Sequence, residues 1–146
     1  MKTRLPLIDS QLDRSIKKYT PEHQRKITLK LLELLAARFT ISDFVVVACV
    51  EYLRKQETVP ADIIEKLKSL IEDLDAQYLS LQERYEEGNE SEDDLNLAFS
   101  IARCASAVFC ATNTDTYIAL AETIYEATSA LDGLVEIRNI IQQTTF

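Results

Sequence analysis

One histidine, His23, and three cysteines, Cys49, Cys104 and Cys110, bound the nucleophilic and metal chemistry open to this chain. A single imidazole cannot build a zinc site with two or more histidines, an H-E-x-x-H metalloprotease helix or the paired E-x-x-H motifs of a di-iron bundle. A Cys-His or Ser-His-Asp arrangement would have to centre on His23, and no local sequence supplies its partners. His23 follows Thr20-Pro21-Glu22 at a helix start, a position expected at the surface. The cysteines form no C-x-x-C pair and lie in apolar helical stretches, so buried free thiols in a reducing cytosol are expected. Glycine-rich phosphate loops are absent, since the two glycines, Gly88 and Gly133, stand far apart. These exclusions predict no catalytic residue, no metal ion and no cofactor, and the chain does not read as an enzyme.

The densest chemistry is acidic. Residues 83–94 hold seven carboxylates in twelve positions, Glu83, Glu86, Glu87, Glu90, Glu92, Asp93 and Asp94, offset only by Arg84. They lack the D-x-[DN]-x-[DN]-G spacing of an EF-hand, so a calcium loop is not expected. Two uses remain open. The acids can solvate a loop and meet the dipole of the next helix, or they can form an anionic patch for a basic protein. Their density exceeds what capping needs. The candidate partner-binding set is therefore these seven acids with Tyr85 as an aromatic anchor.

The charge of the whole chain points the same way. Residues 1–60 carry eleven Lys/Arg against seven Asp/Glu, a balance of +4, whereas residues 61–146 carry five against seventeen, a balance of −12. An acidic field of this kind repels nucleic acid and membrane phosphates and speeds encounter with a basic partner. Arg14, Lys17, Lys18, Arg25, Lys26 and Lys30 do not make a nucleic-acid footprint, because no recognition helix preceded by a glycine turn accompanies them. Arg103 interrupts an apolar helix and needs a partner such as Glu122, Glu126 or a helix C-terminus; unpaired, it would mark a pocket. Tyr52, Tyr78, Tyr85, Tyr117 and Tyr125 stand at helical spacing, where core packing with the hydroxyl at the surface is the usual use.

The elements that position these residues follow from composition and period. Two glycines and three prolines in 146 residues leave few tight turns and imply long helices. The expected fold is all-α, a single-domain bundle of about six to seven helices that could stack as hairpins. The first residues turn polar too soon for a signal peptide, and no run approaches the roughly 18 apolar residues of a membrane span, so a cytoplasmic protein is expected. A short first helix over 11–19, capped by Asp9 or Ser10, is followed by one over 21–39 started by Thr20-Pro21. The β-branched run at residues 44–50 reads as a helix capped by Thr40 or Ser42, because it continues into residues 51–54 without a turn and no second strand can pair with it. Apolar residues from Ile63 to Tyr85 recur at three- and four-residue steps, predicting a helix over 60–87 stopped by Gly88. Ser91 and Asp94 form a capping-box variant for a helix over 92–112, apolar on nearly every face and expected at the centre. Helices over 116–131, ended by Asp132-Gly133, and around Leu134, Ile137, Ile140 and Ile141 close the chain.

The acidic junction Glu86-Glu87-Gly88-Asn89-Glu90-Ser91-Glu92-Asp93-Asp94 and the alanine-rich stretches AFSIARCASAVFCA and YIALAETIYEATSAL resemble the small acidic all-helical immunity proteins of contact-dependent and other polymorphic bacterial toxin systems. The resemblance is one of character across most of the chain. It implies a one-to-one complex in the producing cell's cytosol, in which an acidic surface covers the basic active site of a toxin domain, a nuclease. An acidic binder that competes with phosphate substrate and gains a fast encounter is sensible on physical grounds as well. Two alternatives use other surfaces: an adaptor or regulatory subunit binding through an apolar groove, and a small-ligand or enzyme pocket built around Arg103 and the tyrosines.

Overall fold

Capping side chains at their N-termini set where five of the α-helices begin. The computed structural model describes residues 2–144, and among them are seven α-helices, one 3-10 turn (Leu5–Leu7) and no strand. Asp9 accepts the Leu12 N–H at 2.9 Å and opens α1 (Ser10–Lys17). Thr20 accepts the His23 N–H at 3.2 Å, with Pro21 at the first helical position, and opens α2 (Pro21–Arg38). The β-branched run is helical as expected, in α3 (Phe44–Arg54), but its cap is neither Thr40 nor Ser42. Asp43 takes the role, accepting the Val45 N–H at 2.8 Å, so the helix starts later.

The longest helix, α4 (Ala61–Glu86), follows Pro60 and ends in a Schellman turn: the Gly88 N–H bonds the Tyr85 carbonyl and the Asn89 N–H the Arg84 carbonyl. This turn requires the positive φ of +81° that glycine adopts without a steric penalty. Ser91 accepts the Asp94 N–H at 3.1 Å to begin α5 (Glu92–Ala111), and Asp115 accepts the Ile118 N–H at 3.0 Å to begin α6 (Thr116–Leu131). Asp132 in the left-handed conformation stops α6 before α7 (Val135–Gln143). The short connections at 87–91 and 112–115 make α4, α5 and α6 successive antiparallel neighbours.

The central helix is α6, not α5. Every residue of α6 from 119 to 127 is buried except the half-buried Tyr125, and α1, α2, α5, α7 and the 3-10 turn all pack on it. In α5 the buried residues, Ala102, Cys104, Ala105, Ala107, Val108 and Ala111, are confined to the C-terminal half. The reason is reach. Ser100 Oγ donates to the Ala130 carbonyl at 2.9 Å, so α6 ends beside Ser100 and the first turns of α5 extend beyond it with α4 as their neighbour. By length and composition α5 could cross a membrane, which corrects the expectation that no stretch approaches a span. Here its small residues pack on α6 and its Arg103 is ion-paired.

Burial of α6 creates an electrostatic problem, because Glu122 and Glu126 lie on its buried surface. Arg4 answers both: its Nε lies 2.7 Å from Glu122, a second guanidinium nitrogen lies 2.9 Å from Glu126, and its plane lies over Tyr125. Burial disfavours the Arg4 charge, and the two carboxylates more than offset this, holding its pKa above the ordinary value. Arg103 completes the chain of charges, 3.2 Å from Glu126 and 2.8 Å from Asp75 on α4. The expected partner Glu126 is thus present, and Asp75 is an additional one. Glu126, whose side chain is 4% exposed, ties the N-terminal segment, α5 and α6 together.

Replacing Glu126 leaves two guanidinium groups short of a carboxylate. We expect Glu126→Ala to lower unfolding stability by about 3 kcal/mol, the low end for breaking a buried pair because Arg4 keeps part of its hydration. Glu136→Ala, which removes the exposed pair with Arg38, should change stability far less. Urea midpoints at unchanged slope would measure both; equal shifts would remove the network from its organising role.

Candidate functional site

The acidic junction forms the tip of the α4–α5 hairpin. Tyr78 packs on Phe99 with ring centroids 5.4 Å apart, and Asp75 meets Arg103, which sets the antiparallel register. Between residues 68 and 101 no residue is fully buried. The distal part of the hairpin is therefore two helices packed on each other and otherwise bathed by solvent.

All eight residues predicted for partner binding fall on this tip. Glu83, Tyr85, Glu86, Glu87, Glu92, Asp93 and Asp94 are exposed; Glu90 is half-buried and lies 3.7 Å from Arg84. Glu92, Asp93 and Asp94 occupy the first turn of α5, where negative charge is favoured by the helix dipole. Glu83, Glu86 and Glu87 do the opposite. They crowd the C-terminal end of α4, where the dipole and the unpaired carbonyls disfavour carboxylates. Capping accounts for the first group and not for the second.

Apolar surface accompanies the acids, and this the sequence pattern did not single out. Leu79 is 57% exposed, Leu97 48% and Tyr85 41%. Leu97 also borders a shallow hollow of about 170 Å³ shared with Leu74, Gln77 and Ile101 and edged by Asp94. Leu97 belongs to the stretch expected at the centre of the fold, whereas Leu79 lies outside the residues that periodicity singles out; the missing third layer beyond Ser100 leaves both at the surface. Leu97 beside the hollow with Asp94 at its edge, and Leu79 four residues before Glu83, each set exposed apolar surface next to a carboxylate, a composition suited to protein binding.

No protein-family model, curated protein or solved structure matches the chain. Local chemistry therefore carries the functional argument.

His23 is half-buried instead of solvated: its Nε2 lies 2.8 Å from the Thr144 carbonyl and its ring stacks on Tyr19 at 4.4 Å. The end of α7 reaches back to the start of α2, a contact no local sequence announces. Among the described residues no group of three or more His, Cys, Asp or Glu side chains is arranged to hold a metal ion. Arg103 lies in neither the tip hollow nor the larger cleft at the other end of the hairpin, and none of the six tyrosines lines either. Tyr117, whose hydroxyl donates to Asp13 at 2.6 Å, has its pKa raised by burial and by that carboxylate.

Cys49 and Cys104 are buried as expected, whereas Cys110 is only half-buried; desolvation still pushes the thiols up, Cys49 and Cys110 to about 11 and Cys104 to about 12, so all three are protonated at neutral pH. A raised thiol pKa contributes stability that is fully present below the ordinary value of 9.0 and is lost as pH rises toward 11 and 12. We expect denaturation midpoints to fall with pH across that window, and less steeply in Cys104→Ala. Native-state labelling by a disulfide reagent at neutral pH should be slow for all three; fast labelling at Cys49 or Cys104 would contradict the burial.

Proposed function

We infer that this protein is a stoichiometric binding protein that neutralises a basic partner, docking it on the tip of the α4–α5 hairpin. The partner class proposed is a toxin domain with a phosphate-binding active site, a nuclease, which places the chain among immunity proteins acting in the cytoplasm. The observation that carries this reading is the acid cluster at the C-terminal end of α4. Glu83, Glu86 and Glu87 sit where the helix dipole disfavours them, on a projecting hairpin with Tyr85, Leu79 and Leu97 exposed. Charge held against local stability suits long-range attraction of a cation-rich surface, and the adjacent apolar side chains suit short-range docking. A phosphate-binding active site presents the complementary cations, and an acidic surface seated there excludes nucleic acid by occupying the same field.

Fold and function can be separated at these positions. We expect the triple change Glu83→Lys, Glu86→Lys, Glu87→Lys to leave thermal stability equal or slightly higher, because cations suit a helix C-terminus. The same change should slow association with the partner by on the order of tenfold and flatten its salt dependence. The partner is obtained by affinity capture from the source cell at low and then high salt. It is then purified and assayed for nuclease activity with and without one equivalent of this protein. Inhibition complete at a one-to-one ratio supports the reading; a captured partner without such activity, or an unchanged on-rate in the triple variant, overturns it.

A further inference from the structure

A second concavity lies at the opposite end of the hairpin from the acidic tip. It is a cleft of about 700 Å³ between α2, the 55–60 loop, the start of α4 and the α5–α6 junction. At 1.5 Å per residue, Lys68 in this cleft is about 27 Å along α4 from Glu86 at the tip. The two surfaces are separate. The volume falls within the range of small-molecule sites, which pair an apolar body with a few convergent polar groups.

The lining divides in that way. Leu29, Leu32, Leu53, Val59, Ile64 and Phe109 supply apolar walls. Two cations border them, Arg25 and Lys68, against one carboxylate, Glu57, so a local excess of positive charge sits in a chain whose net charge is −8. Arg25 has no hydrogen-bond or ion-pair partner among the described residues. Lys68 makes only a long contact of 3.5 Å to Glu65 and lies 5.7 Å over the Phe109 ring, an arrangement in which its stem covers apolar surface and its ammonium stays available.

The hydroxyls sort by commitment. Thr28, Thr112 and Thr116 donate to Gln24, Phe109 and Gln24 oxygens respectively, so they offer only acceptor capacity. Asn113 accepts the Asp115 N–H through its side-chain oxygen, which leaves its amide hydrogens pointing elsewhere. Uncommitted donors thus come from the cations Arg25 and Lys68 and from the neutral Gln56, Thr58, Asn113 and Thr114, around a floor of aliphatic and aromatic carbon. A cationic ligand would meet repulsion from two cations against one carboxylate, and an anion gains charge-assisted hydrogen bonds that a neutral ligand cannot make.

We propose that this cleft binds a small amphipathic anion, a molecule with an apolar body and one terminal carboxylate. The apolar body lies against Leu29, Leu32, Leu53 and Phe109, and the carboxylate is held between Arg25 and Lys68. The site acts independently of the acidic tip, so its failure and that of the neutralisation reading are distinguishable.

Titration calorimetry with decanoate, decan-1-ol and decylammonium below their aggregation limits tests this, with amide chemical shifts locating the probe. Decanoate should bind one-to-one and at least about tenfold more tightly than the alcohol or the amine, with shifts at Leu29, Val59 and Phe109. Arg25→Gln with Lys68→Gln, both surface-accessible changes, should weaken decanoate by on the order of tenfold and leave the alcohol unchanged, about 1.4 kcal/mol. Glu86→Gln at the tip should have no effect. The proposal is overturned if decanoate does not saturate, if the three probes bind alike, if the shifts map to the hairpin tip, or if the double variant binds decanoate as before.

Discussion

Burial of α6 is the constraint from which most of this structure follows. Alanines at positions 119, 121, 127 and 130 let neighbouring helices approach closely, so one helix is covered by α1, α2, α5 and α7 at once. The same burial removes water from Glu122 and Glu126, and a desolvated carboxylate is tolerated only when paired and hydrogen-bonded. Arg4 meets that demand at both carboxylates and Arg103 at Glu126. The N-terminal segment is therefore held against α6 by charge as well as by the fully buried Leu5, and Arg103 fixes α5 against both α6 and Asp75 of α4. A core of this kind specifies register as well as compactness.

Where α6 does not reach, surface is left for other work. At one end, α4 and α5 run on beyond Ser100 without a third layer, and their apolar seam is only half covered. At the other, the turn from α5 into α6 stands away from α2 and the 55–60 loop and leaves the cleft. The two surfaces differ in sign. The hairpin tip concentrates carboxylates, whereas the cleft holds two of the chain's cations. The uneven charge of the sequence, basic before residue 60 and acidic after it, thus has a spatial expression.

Helix dipoles help to tell structural acids from available ones. Asp9, Asp43 and Asp115 each accept a backbone N–H at a helix start, and their placement is explained locally. Glu83, Glu86 and Glu87 satisfy no such group, and they raise the electrostatic energy of the last turn of α4. Local consistency is the rule in natural sequences, so a departure from it at an exposed tip is informative about use.

By itself the sequence determined the helices, because capping residues, prolines, Gly88 and the three- to four-residue apolar period act within a few residues of one another. It also determined that the acids at 83–94 lie together at a helix junction, since adjacency in the chain guarantees it, and that Arg103 needs a carboxylate such as Glu126. Which helix is central was settled only by tertiary structure. An apolar α5 and an alanine-rich α6 look alike in one dimension, and the difference lies in how far each extends past its neighbours. The exposure of Leu79 and Leu97, the Arg4 pairing across more than a hundred residues, the contact of His23 with Thr144 and the cleft between Arg25 and Lys68 are of the same kind. Each depends on segments distant in the chain meeting or failing to meet, and no local pattern encodes that.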